Sequence, residues 1–159
     1  MDNQNMKKTI ALLIVLAAAV FAVQEAQAQT VSLRVGKGGL SKGKTGRANV
    51  VMNIPGGLHV NSNNPKSEYA IPTRVTVSGE GVSTGSVSYP PGKMKKFSFS
   101  ETPISIYENQ VSFGFNVSVP RNFSGNIVRL KAVVRYQPCT DEVCYSPKTK
   151  TVYLNVRVR

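Results

Sequence analysis

From Gln110 to Val119 the chain alternates without a break, with Val111, Phe113, Phe115, Val117 and Val119 on one face. A period of two sends successive side chains to opposite sides of an extended strand. Such a segment buries one face and wets the other, which is the economy of an antiparallel sheet. Ile127 to Tyr136 repeats it, with Leu130, Ala132, Val134 and Tyr136 on one side and Arg129, Lys131 and Arg135 on the other. Val152, Leu154, Val156 and Val158 do so again near the C-terminus. Weaker strands are expected over Val31–Val35, Arg47–Ile54, Arg74–Ser78, Thr84–Tyr89 and Lys95–Ser100, separated by turn formers such as Pro55-Gly56-Gly57, Pro90-Pro91-Gly92 and Asn122 to Gly125. No window after the first 28 residues has a helical period. The expectation is an all-β, antiparallel β-sandwich of about seven to nine strands.

The N-terminus reads as an address. Lys7 and Lys8 precede an apolar run, Ile10 to Val23, that is shorter than the ~20 residues a membrane-spanning helix needs. Ala26-Gln27-Ala28 then offers small residues where a signal peptidase cuts. The expected organisation is a cleaved secretory signal over residues 1–28 and one domain over residues 29–159, exported in soluble form without stable membrane insertion; an uncleaved anchor is the competing reading. Loss of the signal removes Lys7, Lys8, Asp2 and Glu25, so the net charge of +12 is unchanged.

That charge comes from few acids, not from dense basic runs. A nucleic-acid groove clusters Lys and Arg and interleaves stacking aromatics. Here the cations spread over outward strand positions, apart from Lys93 to Lys96, so no nucleic-acid partner is expected and a solvated basic surface is the simpler reading. Gly38 to Thr45 matches the phosphate-loop pattern letter for letter, but a strand-like segment follows it where a phosphate loop needs a helix. His59 is the chain's lone histidine, and with two cysteines it leaves no ordinary four-ligand zinc site. It reads as a structural residue. Asn116-Val117-Ser118 and Asn122-Phe123-Ser124 match a glycosylation sequon that is common by chance.

The informative stretch is Tyr136-Gln137-Pro138-Cys139-Thr140-Asp141-Glu142-Val143-Cys144-Tyr145-Ser146-Pro147. It joins two strongly alternating strands, so its cysteines should sit at a hairpin end, and in an oxidising compartment they should pair. Chain entropy gives a loop this short only ~2 kcal/mol, against more than ~4 for a loop of a hundred residues. A short surface disulfide is instead open to an attacking thiolate. On composition and spacing the structural staple and the redox pair stand level.

A resemblance tips that balance. From about Gly57 onward the chain resembles the N-terminal periplasmic domain of the thiol:disulfide interchange protein DsbD, the disulfide bond corrector family. The matching pieces are Gly57-Leu58-His59-Val60-Asn61-Ser62-Asn63, Ile71-Pro72-Thr73, Val87 to Pro90, Lys95-Lys96-Phe97-Ser98-Phe99 and Ile106-Tyr107-Glu108. Most specific is Tyr136-Gln137 through Cys144-Tyr145-Ser146-Pro147, continued by Lys148 to Val152. The resemblance implies an immunoglobulin-like sandwich acting as a thiol–disulfide oxidoreductase of the protein-disulfide reductase type, with no cofactor and no metal. Reducing equivalents would come from a thioredoxin-like or membrane electron donor and pass to periplasmic disulfide isomerases or cytochrome c maturation proteins. By the same resemblance Cys144 forms the mixed disulfides and Cys139 resolves them. A cap loop falls around Phe97 to Thr102, with Phe99 as the shielding ring, and Tyr136 and Tyr145 flank the pair as wall, core or rim.

In the family's full-length form a membrane-spanning conduit and a thioredoxin-like domain follow this one. This chain ends at Arg159, so a separate membrane electron donor is expected. Asp141 and Glu142 between the cysteines disfavour thiolate formation, while Lys148 and Lys150 push the other way. The oxidised protein is therefore expected to wait for a partner's low-pKa thiolate. Two other readings stay open: a secreted immunoglobulin-like binding module with a purely structural disulfide, and a basic surface-binding protein.

Overall fold

The computed structural model describes residues 28–159, so all but the last residue of the expected export signal lies outside it. Eleven strands run in chain order: β1 (Thr30–Val35), β2 (Thr45–Asn53), β3 (His59–Asn61), β4 (Arg74–Gly79), β5 (Ser83–Thr84), β6 (Lys93–Lys95), β7 (Ile104–Tyr107), β8 (Gln110–Ser118), β9 (Ile127–Tyr136), β10 (Pro138–Cys139) and β11 (Lys148–Arg157). Seven of them reach four residues, and those seven are the frame of an immunoglobulin-like sandwich. No helix among the described residues is long and apolar enough to cross a membrane.

One layer has the order β1-β2-β8-β5 and the other β11-β9-β4, and every pairing in both is antiparallel. The alternation explains the layers. On β8, Val111, Phe113, Phe115 and Val117 are buried while Gln110, Ser112, Asn116 and Ser118 are exposed. On β9, Val128, Leu130, Ala132, Val134 and Tyr136 are buried against them. Tyr89 and Tyr107 set their rings edge-on to Phe113, at 5.4 and 5.7 Å between centroids, an arrangement aromatic quadrupoles favour.

A third sheet, β10-β3-β7-β6, prolongs the first layer past a break. The β2–β8 ladder stops at Asn53 and Gln110 and resumes as β3–β7 with Val60 opposite Tyr107. At the break Asn109 takes φ 59°, a left-handed conformation that asparagine tolerates and most residues do not. β9 belongs to one layer and β10 to the other, so the chain changes layers at Gln137 and delivers Cys139 to the joint.

Two expected strands shrink. Thr84–Tyr89 is reduced to β5 and a single bridge between Ser88 and Gly114, and Lys95–Ser100 becomes the end of β6 followed by a turn. The segment that matches a phosphate loop runs straight into β2, with Gly39 and Gly43 at positive φ and Leu40 bridged to Val158.

Candidate functional site

Cys139 and Cys144 are joined in a disulfide, their Cα atoms 4.0 Å apart across an antiparallel bridge. The two halves differ in access. Cys139 is fully buried as the last residue of β10, whereas Cys144 is exposed. The intervening loop is tightly self-bonded: Tyr145 N donates to Pro138 O at 2.8 Å and Thr140 N to Val143 O at 2.8 Å. Thr140 Oγ1 accepts from the amides of Glu142 and Val143, the side-chain turn that threonine makes readily.

Gln137 ties this loop to its surroundings. Its Oε1 accepts from Asn61 Nδ2 at 3.2 Å and from Ile71 N at 3.4 Å, while its Nε2 donates to Tyr145 O at 3.2 Å. Asn61 Nδ2 also donates to Ile71 O at 3.1 Å. The segments holding Asn61, Ile71 and Tyr145 are thus fastened to the point where the chain changes layers.

Clefts open on both sides of the loop. One, of about 580 Å³, is lined by Cys144, Phe99, Tyr69, Ile104, Gln137 and Glu101 among others. Phe99 is 46% exposed and stacks on Phe97, and Phe97 stacks in turn on His59, with centroid distances of 5.1 and 4.6 Å. A ladder of three rings therefore runs from the solvent to a buried histidine. The loop carrying it closes on itself through the Lys96 ammonium, which donates to Glu101 O, and through Ser100 N to Phe97 O. Gly92 stands at its base, where a Cβ would come within 2.2 Å of Ser105 Oγ.

The second cleft, of about 610 Å³, holds Asp141, Glu142, Tyr145, His59, Lys95 and Glu108. Lys95 Nζ bridges Asp141 Oδ1 at 2.9 Å and Glu108 Oε1 at 3.3 Å, and Lys93 reaches Glu108 Oε2 at 3.1 Å. Lys95 holds the Asp141 carboxyl below its ordinary pKa and is itself raised by it. Lys93 first, and Lys95 after it, lower Glu108. Asp141 lies between the cysteines as a charge already matched by a cation.

Of the sequence-expected residues, Phe99 and Cys144 meet in one cleft and Asp141, Glu142 and Tyr145 in the other. Tyr136 goes elsewhere. It is fully buried in the main core, its hydroxyl finds no hydrogen-bond partner, and burial raises its pKa. Sequence reasoning missed His59 as a neighbour of the pair, Phe97 as the inner ring, and the Lys95–Asp141 bridge. His59 did carry one signal, a lone titratable group in the apolar triplet Leu58-His59-Val60.

Comparison with known proteins agrees with this geometry. The family described as "Thiol:disulfide interchange protein DsbD, N-terminal" matches residues 17–155. A thiol:disulfide interchange protein DsbD of Pseudoalteromonas atlantica is 32% identical over 77 residues, 48% of this chain, and the match spans 12% of that relative's length. The crystal structure of the N-terminal periplasmic domain of ScsB from Proteus mirabilis superposes with a TM-score of 0.54 at 12% identity, over 86% of this chain and 49% of that one. At that identity the superposition speaks for the fold.

Proposed function

The chain belongs to the DsbD N-terminal family, and on that premise we propose that it is a periplasmic thiol–disulfide shuttle working through Cys139 and Cys144. Residues 1–28 are its removable export signal, and residues 29–159 form the working domain. The observation that carries the reading is the asymmetry of the pair, one sulfur sealed in the sheet joint and the other facing a cleft.

The exchange follows from that asymmetry. A thiolate of a thioredoxin-like donor attacks Cys144 Sγ, the Cys139–Cys144 bond breaks, and Cys139 leaves as a thiolate that takes up a proton. The donor's second thiol then attacks its own sulfur in the mixed disulfide, which releases Cys144 as a thiol. The domain gains two electrons and two protons, and the donor leaves oxidised. Onward transfer reverses the order: Cys144 attacks an acceptor's disulfide and Cys139 resolves the adduct. Acceptors are periplasmic isomerases or cytochrome c maturation proteins, and the ultimate donor is a membrane electron carrier. Phe99 shields the pair between encounters.

Trapping tests the reading. A Cys139→Ser variant, its Cys144 first converted to the thionitrobenzoate mixed disulfide and then incubated with a reduced periplasmic thioredoxin-like protein lacking its resolving cysteine, should release thionitrobenzoate and leave a stable adduct on a non-reducing gel. Cys144→Ser should give none. If neither variant traps a partner and reduction unfolds the domain, the bridge is a staple and the shuttle reading falls.

A further inference from the structure

The exchange described above gives the buried His59 no task. His59 stands directly opposite Cys139 in the β3–β10 pairing. Opposed residues in an antiparallel ladder carry their side chains on the same face, with Cβ atoms about 5 Å apart. The histidine is 2% exposed, and Phe97 covers its ring. Its Nδ1 lies 3.9 Å from Oδ1 of Asp141, two residues beyond Cys139. The imidazole thus has a carboxylate and an aromatic ring beside it, and Cys139 opposite it in the ladder.

A thiol sealed in such a place needs help to ionise. Burial in apolar surroundings disfavours the thiolate, and only the thiolate attacks a disulfide. We infer that His59 is the proton acceptor for the Cys139 thiol in the resolving step, with Asp141 stabilising the imidazolium that forms. The inference rests on the shuttle reading and names the group that makes its buried half reactive.

With Cys144 in a mixed disulfide, the Cys139 proton moves to the neutral imidazole and the Cys139 thiolate attacks Cys144 Sγ. The Cys139–Cys144 bond forms, the bond to the partner's sulfur breaks, and the partner leaves as a thiolate. His59 then loses its proton to water or to that leaving group. Three charged groups face the ring: Lys95 on β6, Asp141 in the disulfide loop and Glu108 between β7 and β8. Burial, and then Lys95, hold the pKa of His59 below its ordinary value, which keeps the ring neutral and ready to accept; the two carboxylates act in the opposite sense. The arrangement follows the general logic of a nucleophile, a base and an orienting acid.

The test uses the reduced protein and Ellman's disulfide as the probe. Attack by Cys144 releases one thionitrobenzoate, and resolution by Cys139 releases the second. His59→Gln should leave the first release within about twofold and slow the second by about 10- to 100-fold near pH 7, at or below the lower end of what a general base supplies. The gap should narrow as pH rises, because hydroxide then takes over the proton from a thiol that burial holds above its ordinary ~8.5. Equal second-release rates for both proteins from pH 6 to 9 overturn the inference. Should His59→Gln not fold, Asp141→Asn decides, because two accounts give opposite signs. Losing the imidazolium's carboxylate slows the second release, whereas merely removing a negative charge from beside a thiolate speeds it; a faster or unchanged rate overturns the inference. The shuttle reading fails separately, if neither cysteine variant traps a partner and reduction unfolds the domain; a first release that survives Cys144→Ser and vanishes in Cys139→Ser reverses the two cysteine roles and overturns the inference with them.

Discussion

Lys95 Nζ lies 2.9 Å from Asp141 Oδ1, so the strand that leads into the aromatic cap is tied by charge to the loop that carries the disulfide. The two residues are 46 positions apart in sequence and belong to elements that share no backbone pairing. The bridge is solvent-accessible, so its value lies in registering two segments against each other more than in global stability.

Lys95→Met should release both neighbours. Asp141 is held low chiefly by Lys95, so its carboxyl should titrate higher in the variant. His59 should also move up, because Lys95 is among the groups that lower it. Carboxyl and imidazole NMR titrations read both shifts, and amides of residues 140–145 should exchange faster. An Asp141 midpoint unchanged by the substitution removes the bridge from the account.

His59 also makes stability depend on pH. Its folded-state pKa is lowered, so between that value and the ordinary ~6.5 the unfolded chain binds more protons than the folded one. Stability therefore rises with pH across that window and is lost as pH falls through it. Urea midpoints at pH 7.5 and 5.5, both above the ordinary carboxylate range, should differ in the native protein. In His59→Phe the difference should shrink, whatever the absolute stability of the variant.

The two rings of the cap should separate by their burial. Phe97 is 3% exposed and packs with Ile104 and Ile106, so Phe97→Ala should cost about 3 kcal/mol in a urea melt. Phe99 is half exposed and contributes mainly its stack on Phe97, so Phe99→Ala should cost no more than about 1 kcal/mol. Reduction by dithiothreitol should reverse the ranking of interest: Phe99→Ala should speed attack on the disulfide several-fold, because that ring and Cys144 line one cleft. A reduction rate unchanged by Phe99→Ala would leave the cap without a shielding role.

The alternating segments were legible because one physical rule governs them. Ile127–Tyr136 is bounded in the structure as the pattern bounds it, and Gln110–Val119 ends one residue early. β3 and β7 escaped for the opposite reason. Every residue of His59–Asn61 and Ile104–Tyr107 is buried, so neither segment alternates, and each is too short for an apolar run to stand out. The cysteine pair was legible from composition, and its mismatch in access was not. That mismatch depends on β10 pairing with β3, a contact between Pro138 and Val60 that no local pattern records. The Phe97–His59 stack and the Lys95–Asp141 bridge are long-range in the same sense.

Reduction itself should leave the domain folded. The bridge closes a loop with a sequence separation of 5, and the chain-entropy cost it removes is only ~2 kcal/mol. The surroundings of Cys139 do not depend on the bond: β3 pairs with β10 and with β7, Gln137 anchors the joint to Asn61 and Ile71, and the main core lies between the other two sheets. Thermal melts with and without dithiothreitol should therefore both be cooperative, the reduced form melting lower by several degrees, as ~2 kcal/mol implies for a domain of this size. The near-ultraviolet spectrum of the core tyrosines should survive reduction. Collapse of that spectrum on reduction would mean that the bridge holds the sheet joint together, and a protein that needs its disulfide to stay folded cannot cycle it.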